Sequence, residues 1–231
     1  MGPISERSEW VRRHPSFLYV APFVSFFIVL YAATEFKFNP SWEGPLRVVL
    51  LGVVCWFCWP RELSFRPRFS ARSTGVGIAV FLLWIAPEVI YPAYRSLPLF
   101  NNSLLGHVHS SLSPDAVANG WVLFWRSARA IAIVPVLEEL FWRAWLMRWL
   151  ISPNFESVPL GSYARSSFWL VAVLFALEHG PYWDVGLVTG IIYNWWMIRT
   201  TSVADCVWMH AVTNACLSVY VISTGHWQYW Q

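Results

Sequence analysis

The chain has 231 residues, 57% of them hydrophobic and only 13% charged, where soluble domains carry roughly 25% charged residues. A mean hydropathy of +0.45 and 17 tryptophans, a residue favoured at membrane interfaces, exclude an ordinary soluble domain and point to the lipid bilayer. The formal net charge of +3 comes from scattered arginines; with no basic patch, helix-turn-helix or zinc-finger pattern, no nucleic-acid partner is expected.

The first apolar run, 17–34, follows a polar arm with Arg7, Arg12 and Arg13 and has no small-residue cleavage site beyond it. A retained first helix is expected rather than a removed signal peptide. Further runs at 46–60, 74–93, 117–134, 136–151, 166–179, 184–199 and 203–222 approach the roughly 20 residues that cross a bilayer. Pro135 is expected to break 117–134 from the next helix. Cys55 and Cys58 form a C-x-x-C, but inside a predicted membrane helix and without the βαβ setting of redox motifs. They read as small hydrophobes, as do Cys206 and Cys216. The longer polar connections are 96–120, with His107 and His109, and 152–165; the first is expected to be a solvated link.

No internal repeat or low-complexity tract interrupts the pattern. The expectation is therefore one all-α, polytopic domain over 1–231, with N-terminal membrane helices in 1–115 and motif-bearing helices in 116–222. Seven or eight transmembrane helices surround an intramembrane cavity. Arg12 and Arg13 in the N-terminal arm and Arg61, Arg66, Arg68 and Arg72 in the loop at 60–72 place both regions, one hairpin apart, on the cytoplasmic side. Arg148, Arg165 and Arg199 suit that same face if 117–150 makes one net crossing. A multi-pass protein of the bacterial inner membrane with a cytoplasmic N-terminus is expected.

Ionisable groups at mid-membrane cost roughly 2.5–3.5 kcal/mol each on insertion scales, so Glu138, Glu139 and Arg143 would make this helix expensive unless they face a protein interior. Glu139 and Arg143 are i and i+4, on one face and in the favourable order for an ion pair. Glu138 is rotated roughly 100° away and has no partner on its own helix. On this stretch alone, ion-paired struts or contact with interfacial water explain the charges as well as chemistry does. Phe175 and His179, and His210 and Asn214, are also i, i+4 pairs on apolar helices. Two histidines, an asparagine and a spare glutamate on three helices are a rarer coincidence.

EELFWR (138–143), FALEH (175–179) and HAVTN (210–214) match, in order, E-E-x-x-x-R, F-x-x-x-H and H-x-x-x-N. The set resembles the CAAX protease and bacteriocin-processing family, which includes the Ras-converting CAAX endopeptidases, and covers roughly 135–220. The resemblance implies a glutamate-dependent intramembrane endopeptidase. Glu138 and His179 are implied to activate water, His210 and Asn214 to stabilise the oxyanion, and Glu139 tied to Arg143 to hold the helix and tune Glu138. Glu178 beside His179 departs from the pattern. No cofactor is implied; zinc is a less favoured alternative, since the helical H-E-x-x-H of zinc proteases is absent.

The expected substrate is a membrane-embedded peptide or protein tail, lipidated or not, reaching the site laterally between helices. An association with a bacterial sorting or peptide-maturation system fits the chain's length and tryptophan content. Two non-enzyme alternatives stand beside this one. A proton-coupled transporter could relay protons through the same residues, though no internal repeat supports it. A non-catalytic immunity or scaffold protein could keep the motif for stability.

Overall fold

Pro135 does not end a helix. In the computed structural model, which describes residues 9–11, 13–36, 38–60, 63 and 69–230, one helical run extends from 120 to 149 and carries Pro135 inside it. This corrects the expected break between two helices. The run, α4 in the numbering below, is built of Gly120–Ala128, Val134–Glu139 and Met147–Trp149 in α-helical geometry, joined by π-helical segments Arg129–Ile133 and Leu140–Leu146. In the first π segment Val134 donates to the carbonyl of Arg129, five residues back. The wider turn gives the proline ring room that a regular helix denies it.

The other long helices are α1 (Phe17–Phe36), α2 (Pro40–Cys58), α3 (Ala71–Ile90), α5 (Arg165–Glu178), α6 (Trp183–Thr200) and α7 (Val203–Thr224). Local signals set their ends. Asn39, Ser70 and Ser202 cap α2, α3 and α7 with side-chain oxygens that accept from Ser41, Ser73 and Asp205 backbone N–H groups. Asn119 does the same for α4, towards Trp121 and Val122. Gly225, at φ 74°, closes α7 in the left-handed conformation a Cβ disfavours.

Among the described residues the structure is helical, with one isolated β-bridge between Asn102 and Gly106. Among the described residues three helices are long and apolar enough to cross a membrane, over Ser41–Cys58, Ala71–Ile90 and Val203–Thr224; Phe17–Ala33 is a shorter apolar stretch. Only 17% of the α2 and α3 spans is buried, against 44% of the α7 span, so α7 is central while α2 and α3 turn apolar side chains such as Val49, Trp56, Leu82 and Ile90 outward. Arg7, Arg12, Arg61, Arg66 and Arg68, which carry much of the orientation expectation, lie outside the described residues.

Close backbone approach fixes the packing. A Cβ on Gly77 of α3 would lie 2.5 Å from the Met209 carbonyl oxygen and 2.9 Å from Val212 Cβ of α7, the small-residue contact by which membrane helices associate. Polar ties reinforce it. Ser73 donates to Asp205 at 2.9 Å and accepts from Trp196 Nε1 at 3.2 Å, joining α3, α7 and α6. Tyr193 of α6 donates to Thr213 of α7 at 2.9 Å, whose hydroxyl reaches the Gly77 carbonyl at 3.0 Å. The connection 96–120 is not simply a solvated link: His107 and His109 are exposed, but Phe100 is buried and the Ser111 N–H donates to the Trp230 carbonyl at 2.9 Å. Just before it, Arg95 is buried, donating to the Pro181 carbonyl at 2.9 Å and to Asp184 at 2.5 Å.

Candidate active site

The two glutamates sit at the end of the short α-helical piece Val134–Glu139, between the two π segments of α4. Glu139 and Arg143 are both fully buried, and Arg143 Nη1 donates to Glu139 Oε1 at 3.2 Å. This is the i, i+4 ion pair that the spacing predicts. The guanidinium carbon lies 4.5 Å from the Phe175 ring centroid and 5.2 Å from that of Tyr193, so aromatic faces supply what further carboxylates do not.

The same Glu139 oxygen has a second partner. His210 Nδ1 lies 3.0 Å away, and since a carboxylate oxygen accepts, Nδ1 carries the proton. Glu139 therefore does more than hold its own helix: it fixes the tautomer and direction of an imidazole on α7. Sequence reasoning tied it to Arg143 alone, because spacing along one helix reveals only partners on that helix.

His179 owes its orientation to the end of α5. The helix stops at Glu178, and the His179 backbone N–H turns to the Ala176 carbonyl at 3.0 Å. The Phe175 carbonyl, left without a helical donor, accepts from His179 Nδ1 at 2.7 Å. A carbonyl cannot donate, so Nδ1 bears the hydrogen and Nε2 keeps its lone pair. The ring packs 4.6 Å from the Phe175 centroid and 5.3 Å from that of Trp84, which places Phe175 as the expected packing partner beneath it.

Glu138 is 8% exposed, and its Oε2 has no hydrogen-bond partner among the described residues. It is not turned to the outer surface, and it lies within electrostatic range of Glu178, Glu139 and Arg143. His179 lies within the same range of His210 and Arg143. No direct hydrogen bond joins Glu138 to His179 among the described residues. Glu178 is exposed and accepts from Trp142 Nε1 at 3.2 Å, which ties the end of α5 to α4 next to Glu138.

Asn214 caps a carbonyl that the proline orphans. In π register the Ala130 carbonyl would be served by the N–H of residue 135, which a proline lacks; the α-helical donor, Val134, is spent on Arg129. Asn214 Nδ2 fills the gap at 2.7 Å, leaving one Nδ2 hydrogen uncommitted. The structure thus joins Glu139, Arg143 and His210 directly, and anchors Asn214 to the same helix. Among the described residues no group of three His, Cys, Asp or Glu side chains stands close enough to hold a metal ion. Cys206 and Ser218 are buried, with Cys206 Sγ 3.8 Å from Met197 Sδ and within electrostatic range of Glu139 and Arg143.

Comparison with known proteins agrees with the motif order. The model of the type II CAAX prenyl endopeptidase Rce1-like family matches residues 120–216, somewhat under half of the chain but including all three motifs. No curated protein and no solved structure matches the chain. With helices fit to cross a bilayer, the protein is an integral membrane protein, and its segment 120–216 is similar to the type II CAAX prenyl endopeptidase Rce1-like family.

Proposed function

We propose that the protein is a glutamate-dependent intramembrane endopeptidase that cuts a membrane-embedded peptide or protein tail. The observation that carries this is a buried carboxylate, Glu138, whose Oε2 has no hydrogen-bond partner among the described residues, in the same bundle as an imidazole whose Nδ1 is spent on a carbonyl. Glu138 and the free Nε2 of His179 polarise one water; Glu138 takes its proton as the oxygen attacks the scissile carbonyl. General-base catalysis of this kind contributes about 10² to 10⁴-fold.

The oxyanion receives hydrogen bonds from His210 Nε2–H and from the second Nδ2 hydrogen of Asn214. The Glu139 carboxylate at 3.0 Å from Nδ1 supports the protonated imidazole that this donation requires. Collapse of the tetrahedral intermediate passes the proton from Glu138 to the leaving amine. One oxyanion donor is typically worth about 10² to 10³ in turnover.

The tail reaches the site laterally from the bilayer, and seven crossings, α1 to α7, with a cytoplasmic N-terminus are the topology we favour. Because 120–149 is a single run, seven alternating helices bring Arg13, Arg72, Arg148, Arg165 and Arg199 to one side, in keeping with the positive-inside bias. A bacterial sorting or peptide-maturation system is the partner we favour, on the chain's length and tryptophan content. Expression of Glu138→Gln, His179→Ala and His210→Ala tests the reading. Cleavage of a membrane substrate disappears in all three folded variants; partner binding without cleavage would mark a scaffold, and pH-dependent flux without cleavage a transporter.

A further inference from the structure

The starts of α2 and α4 meet rung by rung. Trp121 Nε1 donates to the Ser41 carbonyl at 2.9 Å, and a Cβ on Gly44 would lie 2.7 Å from Trp125 Cβ. One further turn on each helix brings Arg47, three residues after Gly44, opposite Arg129, four residues after Trp125. These two guanidiniums lie within electrostatic range of one another, of Arg126 and of Glu43. Arg47 already engages Glu43 in an i, i+4 ion pair. Three cations thus share one carboxylate at this corner.

Hydrogen-bond donors are left over there. Arg47 is 9% exposed and its Nε has no partner among the described residues, and the same holds for the buried Nε1 of Trp125. Arg129, half-buried, forms no ion pair or hydrogen bond among the described residues. Buried donors are nearly always satisfied in folded proteins, and cations gathered beside apolar helices are costly unless an anion joins them. Depth says which anion. Exposed Trp42 and Trp121 stand at the starts of the two helices, as tryptophans of a membrane-interface belt do. Arg47 and Arg129 follow the first residues of α2 and α4 by seven and nine positions, roughly 10 to 14 Å along the axes. Cα–Cβ bonds tilt towards a helix N-terminus, so the long arginine stems reach back towards the level of lipid headgroups. Beside them α2 turns Leu46, Val49 and Leu50 outward, an apolar surface for acyl chains.

We propose that Arg47, Arg126 and Arg129 form a binding site for the phosphate of an anionic phospholipid at the α2–α4 corner. A guanidinium offers two parallel N–H donors to phosphate oxygens, and a headgroup of net negative charge supplies the counter-charge that Glu43 alone does not. A free phosphate carries the same oxygens but would leave water to reach this depth. A lipid brings its phosphate there with its chains already in the bilayer. The site is separate from the Glu138 cluster and stands independently of the endopeptidase reading.

The test titrates the full chain, purified in a neutral maltoside detergent, with dioleoyl phosphatidylglycerol or with dioleoyl phosphatidylcholine, and counts bound lipid by native mass spectrometry. The wild type is expected to bind phosphatidylglycerol about tenfold or more tightly than phosphatidylcholine. Variants are matched to wild type in helical circular dichroism. Arg129→Gln lowers the phosphatidylglycerol affinity about tenfold, whereas Arg165→Gln, at an exposed arginine elsewhere, leaves it unchanged. Glu43→Gln raises it, because the one competing carboxylate is gone, a change opposite in sign to a mere loosening of the corner. Equal binding of the two lipids by the wild type overturns the inference without recourse to any variant. So does a preference that survives Arg129→Gln, that falls equally with Arg165→Gln, or that falls with Glu43→Gln. Displacement of bound phosphatidylglycerol by millimolar inorganic phosphate overturns the lipid assignment in favour of a free phosphate.

Discussion

Replacing Glu139 by alanine leaves Arg143 a buried cation that has lost its ion-pair partner and keeps aromatic faces in contact, with Glu138 and Glu178 only within electrostatic range. In the native protein the pair is fully buried with an Nη1 to Oε1 distance of 3.2 Å, and Arg143 Nε and Nη2 have no other hydrogen-bond partner. The faces of Phe175 and Tyr193, at 4.5 and 5.2 Å, offer about 0.5 to 2 kcal/mol. The desolvation left uncompensated is several kcal/mol, and breaking a buried pair by removing one member typically costs about 3 to 5 kcal/mol. Glu139→Ala should lose stability in that range, measured by reversible unfolding in detergent micelles. The paired replacement Glu139→Leu with Arg143→Met, which removes both charges and keeps volume, should recover at least half of the loss. Cleavage should stay impaired in both, because His210 Nδ1 no longer has its acceptor. A Glu139→Ala protein within about 1 kcal/mol of wild type would refute the claim that this carboxylate offsets a buried guanidinium.

Other outcomes follow from the same geometry. Glu138→Gln should unfold no more readily than wild type, since an unpartnered buried carboxylate contributes no stabilising bond, while cleavage falls by about 10² to 10⁴-fold; a large drop in stability instead would assign Glu138 a structural partner. Asn214→Ala should lower turnover by about 10² to 10³-fold and also loosen α4 where the Ala130 carbonyl loses its donor, read as faster hydrogen exchange around 129–135. Gly77→Ala should cost about 1 to 3 kcal/mol, because its Cβ meets the Met209 carbonyl at 2.5 Å; unchanged stability would contradict the tight α3–α7 contact. Cleavage in the presence of EDTA should continue undiminished, whereas loss on chelation with recovery on added zinc would argue for a metal-activated water.

What could be read from the sequence divides along a physical line. Burial of Glu138, Glu139 and Arg143 was legible because the membrane penalty leaves charged groups on an apolar helix few alternatives. The Glu139–Arg143 pair was legible because i, i+4 contacts are local. Its link to His210, separated by 71 residues, was not, since no local spacing encodes which face of α7 meets α4. Pro135 misled for a related reason. Its rule holds for regular helices, and the π turn that accommodates it depends on Asn214 arriving from another helix to serve Ala130. The packing of the 96–120 connection was hidden by a composition that resembles a solvated loop; only the burial of Phe100 and the Ser111 bond to the Trp230 carbonyl reveal it, beside the Arg95 anchor at its start. The orientation of His179 could have been suspected from the glycine and proline that follow it, which end α5 and strand the Phe175 carbonyl.

The central claim is that carboxylate and imidazole groups from α4, α5 and α7 act together on a peptide bond inside the bilayer. Its most direct test is a mass-spectrometric comparison of membrane-protein C-termini in cells carrying the wild-type protein or Glu138→Gln, matched for membrane abundance. A discrete set of shortened tails is expected only with the wild type. Identical termini in the two membranes would contradict it.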